Sequence, residues 1–173
     1  MAGGFNIDIT IDDAELRHAV TAGPAIAVEE LTAATWEGEL LIEREVKERT
    51  PVGVFGSGGG LRGSISARTP EVLGDKVRGV TGTASGYALP VEIGTKPHFP
   101  PIAPIALWAQ KKLGVTPEEA PRAGYLIARK ISRVGTQGQH MFRDGFAAVR
   151  GQVVDAYARA RDRIVARMAG GKS

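Results

Sequence analysis

The spacing of apolar residues predicts a strand followed by a long helix near the N-terminus, and another long helix near the C-terminus. Residues 5–9 alternate between apolar and polar side chains, which predicts a strand with one buried face. Residues 24–49 carry apolar or small residues three and four positions apart, which predicts a helix that begins near Pro24 and ends before Pro51. A longer stripe at helical spacing predicts a helix over residues 140–168.

The middle of the chain is predicted to hold a glycine-rich loop and short strands. Residues 53–60 contain five glycines, which predicts a flexible loop. Residues 64–68 and 76–81 alternate as two strands of a hairpin or meander do. Residues 87–93 form a third strand candidate, in which Pro90 indicates an edge strand or a bulge.

Two shorter helices are predicted before the last one. The first covers residues 104–113 and ends at Gly114, and the second lies within residues 116–135 and ends at Gly135. The element order is then β–α–β–β–β–α–α–α, with strands and helices segregated along the chain. This order predicts an α+β fold, in which an antiparallel sheet of about four strands packs against the long N-terminal helix and the C-terminal helices.

Composition indicates one globular domain over residues 1–173. Hydrophobic residues make up 43% of the chain and charged residues 24%, which excludes a disordered chain. The absence of cysteine excludes disulfides and thiolate metal sites. No run of about 18 apolar residues and no secretory signal pattern is found, so we expect no membrane contact. Residues 160–173 are interpreted as a basic C-terminal extension.

Charge is distributed unevenly, although the net charge is only +3. Residues 1–50 hold 11 acidic and 4 basic residues, whereas residues 122–173 hold 11 basic and 3 acidic residues. Such asymmetry suits contacts between copies of the chain or a surface that binds nucleic acid. A solvated helix with basic residues on its outer side is the simpler interpretation.

Candidate catalytic groups are few. None of the three histidines lies three or four positions from another histidine, so we predict no metal site and no cofactor. The glycine-rich loop lacks the Gly-Lys-Ser/Thr ending of a phosphate-binding loop, and no G-x-S-x-G motif is present. A hydrolase that uses Glu92, His98 or Ser64 is only a minor alternative. No pair of these residues has the spacing of a catalytic dyad or triad.

Short motifs follow one another along the chain in a suggestive order. T-P-V at residues 50–52 precedes L-R-G-S-I at residues 61–65. Further motifs are Y-A at 87–88, V-E-I-G-T at 91–95, F-P-P at 99–101, L-W at 107–108, A-R-K-I at 128–131, G-T-Q-G at 135–138 and F-R-D-G-F at 142–146. Together they resemble the head–tail joining, or tail-completion, family of minor neck proteins in tailed bacteriophages, over residues 25–160. The chain departs from the family in its longer glycine-rich loop and its more basic C-terminus.

The resemblance implies a structural role rather than an enzymatic one. Copies would form a ring of six or twelve subunits between head and tail, with other neck, connector and tail-tube proteins as partners. The location would be the virion neck after assembly in the host cytoplasm, and DNA in the lumen would make non-specific contacts. The structural or interface candidates are Leu61, Arg62, Ser64, Tyr87, Glu92, Gly94, Thr95, Pro100, Pro101, Trp108, Phe142 and Phe146.

Within this hypothesis, the glycine and prolines of residues 91–108 shape a turn rather than a catalytic centre. Trp108 either anchors a neighbouring subunit or fills the subunit's own core. The acidic helix of one copy is expected to face the basic helix of the next. The alternative function is a small DNA-binding protein that uses the arginines of the last helix, such as Arg159, Arg161 and Arg163.

Overall fold

The computed structural model describes residues 14–54, 60–74 and 76–170, with side chains from residue 21 onward. The strand predicted over residues 5–9 lies outside the described residues, as do residues 55–59 of the predicted loop. The elements are α1 (Ala14–Arg49), α2 (Gly60–Ser64), β1 (Ser66–Leu73), β2 (Lys76–Gly82), α3 (Ala88–Ile93), β3 (Gly94–Thr95), α4 (Ile102–Leu113), α5 (Ala120–Val134), β4 (Thr136–Gln137) and α6 (Met141–Met168).

The mixed α+β class is confirmed, but the predicted sheet of four strands is wrong. The described strands form two separate antiparallel pairs, β1 with β2 and β3 with β4. The first pair shifts register between Arg68 and Glu71, where the chain passes through Pro70. Proline cannot donate to the ladder, so an irregularity at this position has a direct cause.

Two long helices, α1 and α6, form the body of the fold. They pack against each other over most of their length. Small residues allow this close approach: a Cβ at Gly145 would lie 2.8 Å from Val46 Cγ2, and one at Gly38 would lie 3.3 Å from Val153 Cγ1. The buried positions of α6 are Met141, Gly145, Val149, Ala156 and Ala160.

Ion pairs join α1 to the C-terminal half of α6. Arg159 lies 2.6 Å from Glu37, and Arg163 lies 2.6 Å from Glu30. Arg167 bridges Glu30 and its neighbour Glu29, at 2.9 Å each. The acidic and basic helices therefore meet within one chain. These pairs within the chain compete with the expected contact between the acidic helix of one copy and the basic helix of the next, which stays a prediction.

The start of α1 differs from its prediction, whereas its end agrees. Pro24 lies inside the helix rather than at its first turn, and the described helix begins at Ala14. The end at Arg49 agrees with the prediction. Thr50 is buried there and donates from its hydroxyl to the Val46 carbonyl at 2.6 Å, which closes the last turn.

Two short helices occupy residues that were predicted as loop or strand. Gly60, predicted in the flexible loop, begins the short helix α2, so the strand predicted at residue 64 begins only at Ser66. Residues 87–93 contain α3, where Pro90 lies in the first turn and loses no intrahelical hydrogen bond. Apolar alternation over so few residues does not distinguish a strand from a short helix.

A cluster of buried side chains lies where α1, α2 and α6 meet. Val46, Leu61, Ile65 and Met141 form this core cluster. Partly buried residues around it are Ile42, Ala88, Val91 and Phe142. The inner face of α3 thus closes the core, which explains why tertiary packing favours a helix there.

Helices α4 and α5 form a second pair, and their main packing partners are each other. Gly124 lies where α5 crosses α4, and a Cβ there would lie 3.0 Å from the Ala106 amide nitrogen. Both predicted helix ends are confirmed, at Gly114 with φ 70° and at Gly135 with φ 71°. The predicted last helix is also confirmed, and residues 160–168 continue it. Within the described residues, no helix combines the length and apolarity needed to cross a bilayer.

Candidate functional site: a helix clamp and an apolar groove

The carboxylate of Glu92 caps α6. Its Oε2 accepts a hydrogen bond from the Phe142 amide at 2.9 Å, and its Oε1 accepts one from the Arg143 amide at 3.1 Å. The N-cap residue of the helix, His140, has φ 51° and its side chain makes no capping hydrogen bond. Amides in the first turn of a helix lack intrahelical partners and carry the positive end of the helix dipole. A glutamate 50 positions earlier in the chain supplies what a local N-cap would.

Backbone hydrogen bonds join the same two segments. The Gln139 amide donates to the Val91 carbonyl at 2.8 Å, and the His140 amide donates to the Glu92 carbonyl at 3.0 Å. Strands β3 and β4 continue the contact, with the hydroxyls of Thr95 and Thr136 lying 2.9 Å apart. The V-E-I-G-T and G-T-Q-G motifs are therefore two halves of one clamp that holds the start of α6.

Two glycines of this clamp combine a positive φ with a close approach of the backbone. Gly94 has φ 80°, and a Cβ there would overlap the carbonyl oxygen of Thr136. Gly135 has φ 71°, and a Cβ there would overlap the carbonyl oxygen of Thr95. A positive φ and a close backbone approach each exclude a side chain, so the two glycines are needed for geometry.

An apolar groove of about 340 Å³ lies beside the clamp. Its lining residues are Pro51, Val52, Gly53, Val54, Gly60, Leu61, Tyr87, Val91, Pro104 and Trp108. Trp108 is 40% exposed and Tyr87 is 67% exposed. Trp108 therefore does not fill the subunit's own core. The motifs T-P-V, L-R-G-S-I, Y-A, V-E-I-G-T and L-W each contribute a residue to this groove, although they are widely separated in sequence.

The other predicted site residues are distributed around the clamp and the groove. Phe142 packs on the core cluster, and Arg62 lies in α2. Pro101 is the N-cap residue of α4. Pro100 directly precedes it, after Phe99, whose ring packs against Tyr125 with centroids 6.2 Å apart.

The groups of the hydrolase alternative have separate partners. Ser64 donates to the Leu61 carbonyl and contacts the Thr83 hydroxyl at 2.6 Å. His98 Nδ1 contacts the Lys96 carbonyl at 2.9 Å, and Glu92 caps α6. Among the described residues, no hydrogen bond joins any two of these three side chains. No group of three or more metal-ligating side chains occurs in the described part of the chain.

The arginines on which the DNA-binding alternative depends are largely engaged. Arg159 and Arg163 bind carboxylates of α1, and Arg161 binds its neighbour Asp162 at 2.8 Å. These contacts reduce the positive charge that the helix offers to phosphate groups. The hydrogen bond from Arg163, followed by the one from Arg167, lowers the pKa of the Glu30 carboxyl group below its ordinary value.

Two glutamates of α1 contact the β1–β2 hairpin. Glu43 accepts a hydrogen bond from the Ala67 amide at 2.7 Å, and its pKa is lowered by Lys47 first and by that amide second. Glu39 is buried beneath β2, where Thr81 donates to its backbone carbonyl at 3.2 Å. No sequence signal identified either role, because both depend on where the hairpin folds.

Comparison with protein-family models, with curated proteins and with solved structures found no match for this chain.

Proposed function

We propose that this chain is a structural, non-enzymatic protein of the bacteriophage neck, whose copies form a ring that joins head to tail. Its partners are then further copies of the chain together with neck, connector and tail-tube proteins of the virion. The ring assembles in the host cytoplasm and stays in the virion neck. The motif resemblance is one support for this proposal.

The observation that carries the proposal is the apolar groove. Five of the motifs on which the resemblance rests meet there, and they present Trp108 and Tyr87 to the outside. Exposed aromatic residues in an apolar depression are typical of surfaces that bind other proteins. A groove built by the shared motifs supports a role in assembly better than a role in chemistry.

The first test is the assembly state of the wild-type chain. We expect light scattering after size exclusion and negative-stain microscopy to show rings, alone or after addition of the phage's other neck components. Trp108→Ala is expected to abolish rings while leaving the helical circular dichroism unchanged. Trp36→Ala is the matched control, because Trp36 on α1 is 39% exposed and lies outside the groove.

A wild-type chain that stays monomeric at high concentration and with the neck components present would refute the proposal. Rings that form equally well from Trp108→Ala would show that the groove is not the contact surface.

Non-specific contact with DNA in the lumen is part of the same proposal and is tested separately. Binding of duplex DNA is expected to be weak and to fall steeply with salt concentration. If neutralising Arg159, Arg161 and Arg163 abolished DNA binding without affecting assembly, the DNA-binding alternative would gain support. The ion pairs of Arg159 and Arg163 with α1 argue against that outcome.

A further inference from the structure

Glu39, in α1, is a buried carboxylate without a partner. The residue is 4% exposed, and neither carboxylate oxygen has a hydrogen-bond partner among the described residues. Burial raises its pKa. Leaving a buried carboxylate without a donor is unfavourable, whether the group is ionised or protonated. Such a group is either a local defect of the fold or one half of an interaction that another molecule completes.

Glu39 helps to line a pocket of about 220 Å³ between α1, β2 and α6. The hydroxyls of Thr35 and Tyr157, which lie 2.9 Å apart, belong to the same pocket. Phe146 is another lining residue and is 47% exposed, so an aromatic ring is accessible there. Hydroxyl oxygens, a carboxylate and aromatic faces are together the groups that bind a guanidinium or an ammonium ion.

One side of the Glu39 carboxylate is closed. Gly79 of β2 lies so close that a Cβ there would overlap Oε1. Both carboxylate oxygens are closed to solvent in the single chain, so a donor from outside can reach them only if the pocket widens around Glu39. A pocket of this size accepts the end of one long basic side chain, but not a folded element.

The chain's own arginines near the pocket are mostly committed elsewhere. Arg159 and Arg163 are paired with Glu37 and Glu30. Arg150 is exposed and lies one helical turn after Phe146, and it makes no ion pair with a described residue. Arg150 is therefore the competitor from within the same chain that an experiment has to exclude.

The α4–α5 pair offers a large excess of unpaired basic groups. Six basic side chains on these two helices make no ion pair with a described acid: Lys111, Lys112, Arg122, Arg129, Lys130 and Arg133. The only acids between the start of α4 and the end of α5 are Glu118 and Glu119. The pair also exposes apolar side chains, including Leu126 at 53%. Its charge is complementary to a pocket in which the Glu39 carboxylate is the only charged lining group among the described residues.

We propose that the Glu39 pocket receives a basic side chain from helix α5 of a neighbouring copy of this chain. The inference rests on the proposed function, because it names the contact by which successive copies assemble. The contact is heterologous, with different surfaces on the two copies, and heterologous contacts close into rings when the rotation between copies suits. Residues Arg129, Lys130 and Arg133 on the exposed side of α5 supply the cation.

The test measures assembly by analytical ultracentrifugation for wild type, for the four variants described next, and for Arg150→Gln, which removes the competing arginine. Glu39→Gln keeps the size of the side chain and is expected to weaken assembly at least about tenfold. Replacing Arg129, Lys130 and Arg133 together by glutamine is expected to weaken assembly similarly. Combining both changes is expected to add little further, because each removes the same contact. Glu48→Gln is the matched control, since Glu48 is an exposed carboxylate on the same helix with no described ion pair.

A second measurement tests whether the Glu39 pocket of the unassembled chain binds a guanidinium group. Arginine amide serves as the probe, and nuclear magnetic resonance follows the signals of Thr35 and Tyr157 during its titration. We expect these signals to shift in wild type and not in Glu39→Gln. Circular dichroism confirms in parallel that the variant is folded.

The outcomes separate this inference from the proposed function. A wild-type chain that never assembles overturns both. Rings that form equally well from Glu39→Gln and from wild type overturn the pocket contact and leave the ring proposal standing. The pocket contact is also overturned, and the ring proposal left standing, if Arg150→Gln weakens assembly as much as Glu39→Gln does while the triple α5 variant assembles normally.

Discussion

Removing the Glu92 carboxylate is the sharpest test of how this fold is held together. Glu92→Ala deletes both hydrogen bonds to the first turn of α6, at 2.9 and 3.1 Å, and leaves two amides without a protein acceptor. It does not delete the backbone hydrogen bonds of the clamp, because these use the carbonyls of residues 91 and 92. The perturbation is therefore confined to capping.

The magnitude follows from the geometry of the cap. A side chain that caps a helix N-terminus contributes about 0.5–2 kcal/mol, and a negative charge in the first turn adds about 0.3–1 kcal/mol. Glu92→Ala is thus expected to lower the free energy of unfolding by about 2 kcal/mol, which lowers Tm by about 4–8 °C in a chain of this size. Glu92→Gln keeps one acceptor oxygen and loses the charge, so about half of that effect is expected.

The assay is urea unfolding followed by circular dichroism at 222 nm, at protein concentrations too low for assembly, because association would add to the apparent stability. Amide hydrogen exchange then localises the effect, with faster exchange expected at Phe142 and Arg143. Glu118→Ala is the control, since Glu118 is exposed and makes no described hydrogen bond or ion pair. Its unfolding free energy is expected to stay within about 0.5 kcal/mol of wild type.

The reasoning fails if Glu92→Ala unfolds within about 0.5 kcal/mol of wild type, the range in which substitutions at ordinary surface positions fall. It also fails if the loss appears without any change in exchange at the start of α6. In that case the glutamate would stabilise the fold by a route other than capping.

Three further predictions concern glycines and charge. Gly94→Ala is expected to destabilise the fold by more than about 2 kcal/mol in urea unfolding, because the position combines φ 80° with a backbone overlap. In α6, Gly151→Ala is expected to raise the free energy of unfolding by about 0.5–1 kcal/mol, because no described atom lies within contact of the added Cβ. Gly145→Ala is expected to lower it, because the added Cβ would lie 2.8 Å from a methyl group of α1. Glu30 has a pKa below its ordinary value of 4.5, so its contribution is present above pH 4.5 and is lost as pH falls through the lowered pKa. Glu30→Gln is expected to flatten the dependence of the unfolding free energy on pH below 4.5, as measured by urea unfolding at a series of pH values.

Each of these predictions has a contrary result. A neutral Gly94→Ala would mean that the two halves of the clamp do not approach as closely as described. Equal effects of Gly145→Ala and Gly151→Ala would contradict the described packing, in which Gly145 contacts α1 and Gly151 does not. An unchanged pH profile for Glu30→Gln would mean that its ion pairs with Arg163 and Arg167 do not form in solution.

Local rules were sufficient for the helices that end at glycine. The ends of α4 and α5 follow from Gly114 and Gly135, because an αL or otherwise positive φ at these positions terminates a helix within its own neighbourhood. The long stripe of α6 was equally readable, because its apolar period persists over 28 residues. Short segments were not readable in this way. The alternation in residues 87–93 fits either a strand or a helix, and contact with the core decided in favour of α3.

The candidate site shows the same division. The V-E-I-G-T motif was recognisable, but its partner G-T-Q-G lies about forty residues away, and no local signal joins the two. Exposure of Trp108 was left open by the sequence, since an aromatic residue at helical spacing suits a core and an interface equally.

By itself, the sequence determined the helix-rich ends of this protein, the breaks at its glycines and its opposed charges, because these features depend on residues within a few positions of each other. Only the tertiary structure decided that the opposed charges pair inside one chain, that Glu92 caps a helix 50 residues later, and that Glu39 is buried without a partner among the described residues. The physical reason is that hydrogen bonds and burial depend on distance in space, and a chain of this length can bring very different pairs together. Which pairs meet is settled by the packing of α1 against α6 and by the clamp that holds α6 in place.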